Sequence, residues 1–175
     1  YACFLAVFCS YFYNFLVTRG VGVHYNNVYP GDCQIVPGIE CGSEKIVVSK
    51  HGLAFITSGG KIMTNCNKDY LVGRIYMFDF NSPENDIVSL ELDAPSLDLK
   101  TFDPHGMGIL EEGDSVKLFI VNHGGSESIE KFIYNPNEPK KLKHIETIRD
   151  DLFVCLNDVT VINDQEFYAT NWIKS

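Results

Sequence analysis

The chain opens on an uninterrupted apolar stretch. Residues 1–17, YACFLAVFCSYFYNFLV, contain fifteen apolar residues and no charge, and the first charged residue is Arg19. As a helix this stretch would span roughly 25 Å, just short of a bilayer core of about 30 Å. No small-residue cleavage pattern follows Val17, so residues 1–18 read as an uncleaved signal-anchor segment. A cleaved signal peptide and a buried core segment are the alternatives. The first two readings both send the chain into the secretory pathway, to be membrane-anchored or extracellular. From about Gly38 the pattern changes to short apolar runs of five to eight residues, each closed by turn residues: KIVVS (45–49), LAFITS (53–58), RIYMFDF (74–80), IVSLEL (87–92), VKLFIVNH (116–123), EKFIYN (130–135), HIETI (144–148), DVTVI (158–162) and EFYATNW (166–172). Val, Ile, Phe and Tyr dominate these runs, and none after Val17 keeps a 3.6-residue period. Short strands at such spacing predict an all-β barrel, sandwich or propeller, and periodicity alone does not choose among them.

Charge narrows the range of partners. The 175 residues carry a formal charge of −9, and affinity for a phosphate backbone comes mostly from Lys and Arg, so nucleic acid is not an expected partner. Six cysteines are present at positions 3, 9, 33, 41, 66 and 155. None forms a C-x-x-C pair, which argues against structural zinc. In an oxidising compartment some of them are expected to form disulfides.

Four polar groups punctuate the apolar runs. Glu44 lies in a Gly-spaced loop ahead of a strand. His105 is held between Pro104 and Gly106, and His123 leaves a very apolar strand. Asn157 and Asp158 open another strand. Singly, each reads as an ordinary loop, turn or strand-end residue. Together they offer carboxylate and amide oxygens, the donors a hard cation such as Ca²⁺ takes six to eight of, beside two histidines able to move protons near neutral pH. No EF-hand loop, G-x-S-x-G elbow or Gly-rich phosphate loop is present, so any calcium site must be assembled from distant segments.

At these places the chain resembles the serum paraoxonase/arylesterase family, over about residues 32–171. The resemblance is carried by Cys-x-x-Val-x-Gly-Ile-Glu-x-Gly-Ser-Glu (33–44), HGLAFITSG (51–59), Phe-x-Pro-His-Gly (102–106), VNH (121–123), KHIETIRDDL (143–152), LNDV (156–159) and FYATN (167–171), in order and near the family spacing. It implies a six-bladed β-propeller with calcium in its central tunnel, preceded by a hydrophobic N-terminal helix. It also implies that residues 19–175 form the N-terminal part of that propeller, about half of a family member. The implied activity is hydrolysis of aryl esters and lactones, with small lipophilic substrates and a membrane or lipid particle held through residues 1–17.

Residue by residue, the resemblance makes Glu44 and Asn157 ligands of the catalytic calcium. Asp158 and the backbone carbonyl of Met107 become ligands of a second, structural calcium, and His105 and His123 the pair that activates water. Cys33 would pair with a cysteine beyond residue 175. One departure stands out: Lys45 occupies a position where the family pattern has a calcium-ligating aspartate. An ammonium cannot ligate, so Lys45 is expected either to replace the second ion's charge or to point away. The competing reading is a non-catalytic, membrane-anchored relative acting as an assembly factor or chaperone for membrane proteins. A plain β-propeller binding module is a third.

Overall fold

The computed structural model describes residues 2–24, 26, 28, 31–39, 42–59 and 72–172. Cys41 and Cys66 lie outside them. The chain divides into two compact units, residues 1–35 and 36–175.

The first unit carries one helix, α1 (Ala2–Thr18). Its sequence has no acidic residue in the first turn and no basic residue in the last, so no side-chain charge complements the helix dipole. A backbone cap ends it instead. Gly20 adopts φ 74°, Val21 N–H donates to Leu16 O at 3.0 Å and Gly20 N–H to Val17 O at 3.0 Å. This is the paired Schellman arrangement that favours glycine. Phe4, Leu5, Phe8, Tyr11, Phe12 and Phe15 are exposed. The uncharged stretch is therefore helical, but among the described residues no helix is long and apolar enough to cross a membrane.

Among the described residues the regular structure of the second unit is all strand. An antiparallel sheet is ordered β1 (Ser43–Val48), β2 (Leu53–Ser58), β3 (Arg74–Asp79), β4 (Val88–Ser89). A five-stranded sheet contains β5 (Glu91–Asp93), β6 (Pro104–Glu112), β7 (Ser115–Asn122), β8 (Ser128–Tyr134) and β9 (Lys141–Ile148), in the order β5-β9-β8-β7-β6. A third, two-stranded sheet pairs β10 (Leu156–Val161) with β11 (Phe167–Asn171). None of these sheets closes on itself.

Two details differ from the pattern reading. The run 87–92 is not one strand. It breaks at Leu90, so that β4 completes the first sheet while β5 joins β9 in parallel at the edge of the second. The segment 104–112, which the pattern reading left out of its strands, is a nine-residue strand that begins beside His105.

Two cores explain why β7 reads as a continuous apolar run rather than an alternating one. Val116, Leu118 and Ile120 enter one cluster with Phe55, Ile75 and Met107. Phe119 and Val121, on alternate positions, enter a second cluster with Ile129, Leu156 and Val159. The strand is covered on both faces, and every residue from Leu118 to Val121 is fully buried.

Within this unit β6 packs against both β1 and β10. Each of these three is the strand that begins its own meander. They are also the strands that carry the candidate residues.

Candidate functional site

Each of the three strands begins with one extra residue relative to its partner. On β1, the step from Ser43 to Ile46 faces only Ser58 to Ile56. On β6, Pro104 to Met107 faces Asn122 to Ile120. On β10, Leu156 to Val159 faces Asn171 to Ala169. Such bulges bend a strand locally and re-aim side chains. Glu44 and Lys45 lie inside the first bulge, His105 and Gly106 inside the second, Asn157 and Asp158 inside the third. Glu44 is thus part of a strand, not of the loop expected from its Gly-rich surroundings.

The approach of β6 to β10 demands glycine. A Cβ on Gly106 would stand 2.2 Å from the carbonyl oxygen of Asn157 and 2.5 Å from the Asp158 Cα. Only a bare backbone fits there, and the closeness brings the second and third bulges together.

The structure brings several of the candidate residues into contact. His105 Nε2 is 3.5 Å from Glu44 Oε1. The His105 and His123 rings meet edge to face, with centroids 5.0 Å apart. Lys45 Nζ bonds Asp158 Oδ2 directly, so of the two options for Lys45 the ammonium faces the carboxylate. The other Asp158 oxygen accepts the Val159 N–H at 2.9 Å. Among the described residues the Asn157 side chain makes no hydrogen bond. The Met107 side chain is fully buried in the first core.

The donor set can be weighed against calcium on these contacts. Among the described residues Glu44 and Asn157 are hard oxygen donors without a close hydrogen-bond partner, which suits Ca²⁺ in kind though not in number. Asp158 does not fit: its carboxylate is already neutralised by Lys45. Among the described residues no group of three or more His, Cys, Asp or Glu side chains is gathered as a metal site. Among the described residues Cys9, Cys33 and Cys155 are not paired with one another.

Behind the histidines lies a polar network that the sequence did not signal. Asn122 is 2% exposed. Its Oδ1 accepts the Asp103 N–H at 3.0 Å and the Gly124 N–H at 2.9 Å, and His123 N–H donates to Asp103 O at 3.1 Å. One amide thereby ties the segment ahead of His105 to the segment around His123. The Asn122 amide nitrogen donates in turn to Glu130 Oε1 at 3.3 Å. Glu130 is fully buried. Burial alone would push its carboxyl up. Hydrogen bonds from Thr147, Ser128, His144 and Asn122 outweigh that and hold it below the usual carboxylate range.

Glu127 was also missed. Its Oε1 stands 2.8 Å from His123 Nδ1, and its Oε2 accepts the Leu156 N–H at 2.8 Å. In sequence it is one polar residue in the run Gly124-Gly125-Ser126-Glu127-Ser128, with no periodicity to mark it.

The second unit thus presents short antiparallel meanders whose bulged first strands carry carboxylate, amide and imidazole groups. The arylesterase family profile matches residues 24–173, and the chain belongs to that family. Relatives with specific names follow. The chain is 34% identical over 145 residues to serum paraoxonase/arylesterase 1 of Homo sapiens, an alignment covering 80% of this chain and 40% of the relative. It is 34% identical over 144 residues to serum paraoxonase/lactonase 3 of Rattus norvegicus, covering 81% and 40%. To serum paraoxonase/arylesterase 2 of Gallus gallus it is 35% identical over 143 residues, covering 80% and 40%. The chain spans about two fifths of the length of these relatives.

Proposed function

We propose that this chain supplies part of a calcium-dependent hydrolase of aryl esters and lactones, built as a six-bladed β-propeller with β1, β6 and β10 as inner strands. The observation that carries the reading is the convergence of three bulges. They set Glu44, His105 and Asn157 on adjacent strands, with His123 against His105. The names of the relatives, which refer to arylesterase and lactonase activity, support the same substrate class. They give no support to the assembly-factor alternative.

In this reading Glu44 and Asn157 hold the calcium together with ligands from outside residues 1–175. When bound, the ion supplies Lewis-acid polarisation of the ester carbonyl and charge for the oxyanion that develops. His105 takes the proton of the attacking water and His123 relays it. The products are a carboxylic acid and an alcohol, or a hydroxy acid from a lactone. Lys45 replaces the second cation: its ammonium neutralises Asp158, and no second calcium is proposed at Asp158 and the Met107 carbonyl.

Localisation follows as a further part of the proposal. The uncharged residues 1–17 hold the protein to a membrane or lipid particle in the secretory pathway or outside the cell, near lipophilic substrates.

The test is hydrolysis of an aryl acetate and a lactone by the whole protein. Both activities are expected to disappear when calcium is removed by a chelator and to return when calcium is restored. Undiminished hydrolysis after chelation would refute the metal's role, and no hydrolysis of either substrate by the calcium-loaded protein would refute the activity.

A further inference from the structure

We propose that Glu127 is the positioning residue of the histidine pair: it fixes the tautomer of His123 and ties that ring to the start of β10. The inference rests on the hydrolase reading, but its basis is a separate piece of geometry. Glu127 lies in the connection between β7 and β8, a Gly-Gly-Ser run where a carboxylate would ordinarily be solvated. Instead its side chain is only 21% exposed, and both oxygens are engaged. Oε1 meets His123 Nδ1 at 2.8 Å and Oε2 takes the Leu156 N–H at 2.8 Å.

An ionised carboxylate only accepts hydrogen bonds, so the hydrogen in the first contact belongs to Nδ1. Neutral His123 is then left with Nε2 as its one proton acceptor. A proton passed on from His105 must arrive at Nε2, while Nδ1–H continues to donate to Glu127 and the carboxylate steadies the imidazolium that forms. The second contact adds a positional constraint. Leu156 directly precedes Asn157 at the bulge of β10, so one carboxylate fixes both the imidazole and the strand that presents a proposed calcium ligand.

Gln is nearly isosteric with Glu but carries one acceptor oxygen and one donor nitrogen. The two contacts fall on different oxygens of Glu127, so in Gln the amide nitrogen would face one of the two N–H groups and that contact would be lost. The experiment uses the whole protein with ¹⁵N-labelled histidine, as wild type, Glu127→Gln, His123→Gln and the double variant. In the wild type, His123 is expected as the Nδ1–H tautomer by its ring nitrogen shifts, and Glu127→Gln is expected to move population to Nε2–H. Lactone kcat should fall about 10- to 100-fold in Glu127→Gln with KM within about threefold. The double variant should lose no more than His123→Gln alone, because the two side chains act as one unit.

A wild-type His123 in the Nε2–H form would overturn the proposal. So would a tautomer shift with kcat unchanged, or additive losses in the double variant. If the wild-type protein hydrolyses neither substrate, the hydrolase reading falls, while the ring nitrogen shifts still decide whether Glu127 sets the tautomer.

Discussion

Replacing Glu44 with Gln in the whole protein is expected to bring ester and lactone hydrolysis down by more than about 10²-fold, together with loss of bound calcium. The substitution keeps the shape and removes the charge. Outer partners of a metal site already cost 10–100-fold when changed, so an anionic ligand costs more. The local charge balance makes the position sensitive. On the adjacent residue, the Lys45 ammonium is committed to Asp158, so Glu44 is the carboxylate in this bulge left for a cation. The Glu44 side chain is a third exposed, and its contact with His105 is long. Folding stability should therefore change by less than about 1 kcal/mol. Parallel measurement of kcat, bound calcium and thermal unfolding checks all three. A Glu44→Gln protein that retains both its calcium and its rate would remove Glu44 from the site.

His105→Gln is expected to lower the rate about 10²–10⁴-fold with calcium retained, the range for loss of a positioned general base. The two histidines meet edge to face at 5.0 Å, and only His123 has a short hydrogen bond to a carboxylate. His105 is thus the ring left facing Glu44. Gln preserves a polar side chain of similar reach, so the Gly106 contact with β10 is not disturbed. The check is kcat on a lactone beside the calcium content of the same preparation. A loss below about threefold would make His105 a structural residue of the β6 bulge.

How far the sequence led depended on what each residue answers to. β2, β3 and β7 were legible because their β-branched and aromatic runs answer to burial in the sheet itself. β7 was read as a continuous run, and the two cores on its two faces are the reason. β6 was not legible. Its opening, Pro104-His105-Gly106-Met107-Gly108, carries glycines that serve a neighbour: a Cβ at Gly108 would stand 2.8 Å from the carbonyl oxygen of Val159. That requirement is tertiary and leaves no alternation to detect.

The bulges were hidden for a related reason. One extra residue breaks the two-residue period, so Glu44 looked like a loop residue and His105 like a turn or strand-end residue. The break at Leu90 followed from its pairing, since Leu90 N–H donates to Ile75 O at 2.9 Å while Glu91 N–H donates to Lys140 O at 2.8 Å. Adjacent residues serve two sheets.

Glu44, His105, His123, Asn157 and Asp158 stood out as polar residues between apolar runs, and their individual roles came from the family resemblance. His105 and His123 are in contact, and Glu44 reaches His105. The resemblance also flagged Lys45 as a departure, but its partner Asp158 is 113 positions away, and only the fold could show which way the ammonium turns. Glu127 and Glu130 carried no pattern that marked them, and Asn122 entered only as part of the VNH motif. Their roles come from hydrogen bonds across the β7–β8 connection, and in sequence they are indistinguishable from solvated polar residues.

The proposed hydrolase rests on a substitution of charge, one ammonium in place of one metal ion. Its most direct test is a count of calcium per chain in the whole protein, by metal analysis after exhaustive exchange into metal-free buffer and reloading. One tightly held calcium per chain is the result expected, with Lys45 and Asp158 neutralising each other where a second ion would require a carboxylate. Two tightly held ions per chain would show that the Lys45–Asp158 pair opens to admit metal, and none would show that Glu44 and Asn157 do not form a calcium site; either result would contradict the account.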